Sequence, residues 1–194
     1  MANYKQSYLK IMGYEGGYSN DEDDIGGQTY KGISMVYHPD WGGWAIIDKL
    51  KKEPDFPANL KKNVELNDMV ILFYKPKYWD VFRGDDIAFQ GIADEMLDIS
   101  INLGYKRAVI FLQKALNVLN RNASLYTDIT MDGVIGKNTI TALDFFMKKD
   151  GNANFIIKIL NILQGEHYIN RMLEDPTQEK FCRGWLDRVE LNKN

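Results

Sequence analysis

Glu15 is the first residue in this chain whose surroundings suggest chemistry. It opens the run E-G-G-Y within "GYEGGYSNDEDDIGGQTYKGIS", the stretch from Gly13 to Ser34. A carboxylate at the C-terminal end of a helix faces the negative end of the helix dipole, which disfavours ionisation and raises its pKa. Tyr14 and Tyr18 beside it add desolvation in the same direction. A glutamate kept protonated near neutral pH is what cleavage of a glycosidic bond requires at the leaving oxygen. Gly16 and Gly17 would let the chain turn without side chains crowding a bulky substrate. The plainer alternative is an exposed glutamate next to a glycine cap, since helices commonly end in this way.

The acidic run Asp21, Glu22, Asp23, Asp24 offers a second carboxylate, or a solvated loop. Asp24 stands apart because "DIGG" and then "QTYKGIS" follow it, so a rigid turn could hold it opposite Glu15. A carboxylate pair about 5 to 5.5 Å apart suits a retaining glycosidase, and a pair about 6.5 to 9.5 Å apart an inverting one. The spacing in sequence leaves both open. Calcium binding of the EF-hand type fails, because the window from Asn20 has Ile25 where glycine is needed and Lys31 where a bidentate acid is needed. The window from Asp128 has Gly133 in place but ends on Thr139.

These residues must be positioned by a mostly helical chain. With 194 residues, 45% of them hydrophobic, it can bury one large core or two small ones. One cysteine, Cys182, excludes an internal disulfide framework, and no Cys/His cluster suggests zinc. A net charge of -3 leaves no broad basic surface for nucleic acid. No apolar run is long enough for a membrane span, and the N-terminus does not read as a signal peptide.

Tyr4, Tyr8, Ile11 and Met12 recur at helical spacing, predicting a helix that ends at about Tyr14 or Glu15. From Ser19 to Gly27 the chain is polar and turn-rich, and "QTYKGISMVY" suits a small β-hairpin. "HPDWGGWAIIDKL" returns to helix after a turn, and "KKEPDFPANLKK" reads as a surface loop. "NVELNDMVILFYKPKYW" predicts a helix whose end is marked by Pro76. "GIADEMLDISINLG" predicts another, with Ile92, Met96, Ile99 and Leu103 on one stripe and Gly104 at its exit. "YKRAVIFLQKALNVLN" is amphipathic, the Asp132-Gly133 pair marks a turn before the helix in "GKNTITALDFFMKK", and "NANFIIKILNILQGEHYINRMLE" is the last long helix. A boundary falls near Gly104 or Tyr105, giving domains 1–104 and 105–194.

Trp41, Trp44, Tyr74, Tyr78 and Trp79 are either platforms for pyranose rings or core. "HPDWGGW" is the best exposed candidate, because its glycines and proline argue for a loop. His38 has no spaced partner and reads as structural. Asp98 and Asn102 share a helix face at i and i+4, where they could line a cleft floor or brace neighbouring backbone. Phe181 and Trp185 read as a hydrophobic anchor with Cys182 as a buried thiol between them.

The succession E-G-G-Y, N-D, D-x-G-G-x-T and K-G-I-S resembles the start of the N-acetylmuramidases of glycoside hydrolase family 108, often labelled secretion activators. "YKPKYWD" and "DISINLG" are similar to further segments of that family, and "FLQKALN", "DGVIGKNTITAL" and "KFCRGWLDRV" to its C-terminal peptidoglycan-binding module. The resemblance implies a mainly α, lysozyme-like α+β N-terminal domain with a small β-hairpin, followed by a helical wall-binding module. It makes Glu15 the proton donor and offers Asp24 and Thr29, from D-x-G-G-x-T, as the other active-site groups. Asp24 would stabilise positive charge on the sugar or act as base, and Thr29 would orient a water. The string "DEDDIGG" leaves Asp23 and Asp24 as alternatives for the inward-pointing carboxylate.

The expectation is hydrolysis of the β-1,4 bond after N-acetylmuramic acid, with Tyr18, Trp41, Trp44, Tyr78, Asp98 and Asn102 as substrate-binding candidates. The partner is the glycan strand of peptidoglycan, and no cofactor is implied. Without a signal peptide, reaching the wall requires a holin, another export route or lysis. The rival reading is a non-catalytic wall-binding or secretion-associated protein that keeps the same architecture.

Overall fold

The computed structural model describes residues 1–12, 17–20 and 27–189. The expected helix exit at Tyr14 or Glu15, and the acidic run Asp21 to Asp24, lie outside the described residues. The chain forms two compact units, Tyr8–Lys77 on one hand and Met1–Ser7 with Tyr78–Asn194 on the other.

The unit Tyr8–Lys77 takes in the later part of α1 (Tyr4–Met12), a three-stranded antiparallel sheet, α2 (Gly43–Leu50), a 3-10 turn (Ala58–Lys62) and α3 (Val64–Tyr78) up to Lys77. The expected hairpin is present as β2 (Thr29–Tyr30) and β3 (Ile33–Ser34), with Tyr30 opposite Ile33. β1 (Tyr18–Ser19) adds a third strand on β2, with Ser19 opposite Thr29. A two-residue strand carries too little alternation to be read from sequence.

The hairpin turns on Lys31 and Gly32, both with positive φ (45° and 77°), as a two-residue loop with the right-handed strand twist requires. The Tyr74 hydroxyl donates to the Lys31 carbonyl at 2.7 Å, tying that turn to α3. A Cβ on Gly32 would lie 2.7 Å from the same hydroxyl oxygen. Gly32→Ala should therefore cost about 2 kcal/mol, from the left-handed backbone and the displaced hydrogen bond together. Tyr74→Phe, which loses only the bond, should cost about 1 kcal/mol. Thermal denaturation of the two variants checks that order, and equal midpoints would reject it.

α3 begins at an asparagine cap, Asn63 Oδ1 accepting from Leu66 N at 2.8 Å. It continues two residues beyond Pro76 instead of ending there. Proline removes one N–H and crowds the carbonyl four residues back, and the helix bears that cost for only two further residues. The segment "KKEPDFPANLKK" is also more than a loop, because its 3-10 turn buries Asn59 and Leu60. Asn59 Nδ2 donates to the Leu50 carbonyl at 3.0 Å, closing the exit of α2.

The other unit is helical: α4 (Gln90–Leu103), α5 (Tyr105–Leu119), α6 (Lys137–Lys149), α7 (Ala153–Glu174) and α8 (Cys182–Leu186), with 3-10 turns at Asp80–Phe82, Gly84–Asp86 and Pro176–Phe181. α4, α5 and α7 pack on one another around Ile92, Met96, Ile99, Leu112, Leu116, Ile156 and Leu160, all fully buried. Each such side chain contributes about 1.5–3 kcal/mol relative to exposure. Gly104, at φ 87°, ends α4 and lets α5 start at once without a linker. Residues 1–7 join this unit through polar contacts: Ala2 N donates to the Ile87 carbonyl at 2.7 Å, and Ser7 Oγ and Gln90 Nε2 both donate to Asp94 Oδ1 at 2.7 Å. Among the described residues no helix is long and apolar enough to cross a membrane.

Candidate functional site

Within Tyr8–Lys77 the sheet presents Thr29. Its hydroxyl donates to the Gly27 carbonyl at 3.1 Å, and its side chain is half-buried. Tyr30, next along β2, points inward and donates to the Leu60 carbonyl at 3.4 Å. Tyr8 and Tyr74 pack below, their ring centroids 5.9 Å apart. Burial, then the charges that Tyr74 and Tyr30 would carry, pushes the Tyr8 phenol far above its ordinary range, so it remains a neutral packing element. Lys31 reaches Asn67 Oδ1 at 3.2 Å, and burial and then Lys61 lower its pKa. Thr29 thus sits on a strand fixed from beneath by tyrosines and at its turn by α3. Glu15 and Asp24 belong to the segments flanking β1 in sequence and lie outside the described residues.

Two aromatic groups accompany the strand. Tyr18, half-buried on β1, meets Phe56 edge-on with centroids 4.8 Å apart, and Lys51 Nζ lies 5.7 Å from the Tyr18 centroid. Lys51 is held by Gln28 Oε1 at 2.6 Å and Asp48 Oδ1 at 3.0 Å. The second group is Trp41, Trp44, Phe73 and His38. Trp44 is only 4% exposed, and its indole N–H donates to the His38 carbonyl at 2.8 Å, so it braces the loop and offers no free face. Trp41 stays half-buried, edge-on to Trp44 with centroids 5.1 Å apart. Its ring lies against Gly43, where any Cβ would collide with it. The glycine pair that argued for an open loop is therefore, at Gly43, a seat for Trp41 at the start of α2. Tyr74 is buried, while Tyr37, on the loop after β3 and 66% exposed, is an aromatic that the sequence pattern did not single out.

The remaining candidates belong to the other unit. Trp79 is fully buried, its N–H donating to Asp85 Oδ1 at 2.8 Å and its ring seated over Gly84. Tyr78 is half-buried beside it. Asp98 pairs with Arg188 at 3.1 Å and accepts from Gln164 Nε2 at 2.8 Å. Asn102 Nδ2 donates back to the Asp98 carbonyl at 2.8 Å and to Asp98 Oδ1 at 3.1 Å. The bracing alternative is the one this geometry displays, with Asp98 tying α4 to α7 and to the segment after α8. Cys182 is half-buried, not a core thiol, because the five-residue α8 is too short to wrap it.

The second unit also holds a groove of about 510 Å³ along residues 125–145, walled by Tyr126, Phe145, Asp128, Lys137 and Asn138. Tyr126 and Phe145 meet edge-on with centroids 6.1 Å apart. The Tyr126 hydroxyl donates to the Leu116 carbonyl at 2.7 Å, and burial pushes its pKa to about 12. Two buried amides fix the groove's loop. Asn120 bonds the Tyr126 carbonyl and Asp128 through Nδ2 and receives Leu125 N and Tyr126 N on Oδ1. Gln113 does the same for Asp132, Gly133 and Val134.

The model of the family described as glycosyl hydrolase 108 matches residues 8–104, half of the chain. The protein belongs to the glycosyl hydrolase 108 family. Residues 107–190 match a second model, described as a predicted peptidoglycan domain. The solved structure of SagA from Brucella abortus is similar over 96% of this chain and 88% of its own, at 26% identity and a TM-score of 0.57. Among curated proteins none matches. The glycosyl hydrolase 108 segment contains the sheet, both aromatic groups and α4, and the second match begins after Gly104, three residues into α5. Membership makes the chain a glycoside hydrolase and agrees with the lysozyme-like fold expected from its opening motifs.

Proposed function

We propose that this glycosyl hydrolase 108 protein is an N-acetylmuramidase that hydrolyses the β-1,4 bond between N-acetylmuramic acid and N-acetylglucosamine in peptidoglycan. The observation that carries the reading is the succession, in one chain, of a glycosyl hydrolase 108 segment and a predicted peptidoglycan domain. Glu15 protonates the leaving oxygen. Asp24, or its neighbour Asp23, supplies the second carboxylate, which either stabilises the oxocarbenium-like centre or activates water. Thr29, whose hydroxyl is oriented by the Gly27 carbonyl, positions that water. Tyr18 and Trp41, both half-buried with packed edges, present ring surface to the apolar faces of the sugars. Trp44 supports Trp41 from behind. The enzyme reaches the wall by a holin, another export route or lysis.

Mass spectrometry of the soluble fragments released from purified peptidoglycan tests the reading. Muropeptides ending in reducing N-acetylmuramic acid are expected. Fragments ending in N-acetylglucosamine would assign the other glycosidic bond, and binding of sacculi without release would assign a wall-binding protein.

A further inference from the structure

Apart from the groove over residues 125–145, the helical unit holds a second concavity of about 320 Å³, where the end of α4, the start of α5, α7 and α8 converge. Its walls carry Arg107 from α5, His167 and Arg171 from α7, and Trp185 from α8. Two arginines and a histidine thus share one small hollow in a chain of net charge -3. His167 lies beside the arginines, its proton affinity lowered first by burial and then by the charges of Arg107 and Arg171, with Glu174 opposing. Two guanidinium groups on one small hollow give it a positive character.

The arginines are not consumed by ion pairs. Among the described residues no carboxylate lies within ion-pair distance of Arg107 or Arg171, whereas Arg188 nearby is committed to Asp98. Arg107 Nη1 donates to the Leu103 carbonyl at 3.0 Å, which steadies the guanidinium and leaves its other donors available. The Arg171 guanidinium acts on the Asp175 carboxylate only through its field, and that carboxylate accepts from Thr177 and Gln178. One side of the hollow is apolar: Trp185 stacks on Tyr168 with centroids 5.0 Å apart and on Phe181 at 5.8 Å.

Two forked donors beside a flat aromatic wall suit a carboxylate on a short aliphatic residue, because guanidinium groups bind carboxylates in planar, two-point fashion. The volume is at the low end for ligand sites and takes about two small amino-acid residues. In peptidoglycan the sugars are largely neutral and the free carboxylates are on the peptide stems. We infer that the hollow formed by Arg107, His167, Arg171 and Trp185 binds a free carboxylate of a peptidoglycan stem peptide, an inference that rests on the peptidoglycan reading above. It gives the C-terminal segment a contact with the peptide, distinct from contacts with the glycan.

The test uses the full chain and the double variant Arg107→Gln/Arg171→Gln. Both arginines are exposed, so the variant should keep the wild-type melting temperature. Calorimetry would compare disaccharide-peptides with free stem carboxylates, the same fragments with those carboxylates amidated, glycan strands stripped of peptide, and inorganic phosphate. The variant is expected to lose about tenfold or more in affinity for the free-acid fragments and nothing for stripped strands. Amidated fragments should bind wild type no better than free-acid fragments bind the variant. An unchanged affinity of the variant for free-acid fragments would overturn the inference while wild-type binding of sacculi leaves the peptidoglycan reading standing. Equal losses on free-acid fragments and stripped strands, or phosphate competing as well as the free-acid fragment, would also overturn it. Failure of wild type to bind sacculi or any fragment would reject that reading and the inference together.

Discussion

Glu15→Gln should lower the rate of fragment release from purified sacculi by about 10²- to 10⁴-fold, the range set by loss of a positioned general acid. Glutamine keeps the shape and the hydrogen-bonding reach of the side chain but has no proton to give to the leaving sugar oxygen. Sacculus binding should stay within about twofold, since the predicted peptidoglycan domain begins at residue 107 and Glu15 lies in the other matched segment. A separation of the two readouts distinguishes an acid from a residue that merely holds substrate, for which binding and rate fall together. Reducing-end assays on wild type and variant, paired with pull-down of sacculi, measure both. Release at an undiminished rate would remove Glu15 from the proposed chemistry and return it to the exposed glycine-cap alternative. Asp23→Asn and Asp24→Asn in the same assay settle which carboxylate assists, because only the inward-pointing one should approach the loss seen at Glu15.

What was legible in the sequence was what local chemistry dictates. The short alternation and β-formers of "QTYKGISMVY" announce the hairpin, and the stripe of Ile92, Met96 and Ile99 announces α4 because its period is helical. Glu15, Asp24 and Thr29 were legible as motif positions, with the two carboxylates outside the described residues. Features set by distant partners were not legible. Trp44 is buried on α2 with its N–H on the His38 carbonyl whereas Trp41 stays half-buried, and Gly43 is small because a tryptophan ring rests on it. Pro76 marks a helix end to within two residues, since the missing N–H and the crowded carbonyl four residues back stop the helix soon after it. Asp98 and Asn102 share a face, as their spacing dictates, but Arg188, 90 positions from Asp98, turns that face into a brace. The convergence of Arg107 with Arg171 spans 64 positions and leaves no periodic trace at all.

The same contrast governs Gln113, an ordinary glutamine in "FLQKALN" that is 1% exposed in the fold. Its Nε2 donates to Asp132 Oδ1 at 2.9 Å and to the Val134 carbonyl at 3.1 Å, and its Oε1 receives the buried Gly133 N–H at 3.0 Å. One side chain thereby does for residues 132–134 what a strand partner would do for a sheet. Gln113→Leu, close in volume, should destabilise the helical unit by about 2–4 kcal/mol, because the buried Gly133 N–H loses its acceptor, Asp132 loses a donor and the Val134 carbonyl keeps only the Gly136 N–H. Gln113→Glu should be worse, since a carboxylate cannot donate to Val134 and faces the Asp132 carboxylate directly. Acid should narrow the gap between wild type and Gln113→Leu. The Gln113 bond, then the Val134 amide, holds the Asp132 carboxyl below its ordinary 3.8. The stability linked to that depression is present above the ordinary value and is lost as pH falls through the folded one. Urea melts at pH 7 and near pH 3 measure both effects. A Gln113→Leu loss under about 0.5 kcal/mol at pH 7 would mean that the loop holds itself. Gln113, Asp132 and Val134 also line the concavity over residues 129–139, so its wall should loosen in Gln113→Leu before the helices melt.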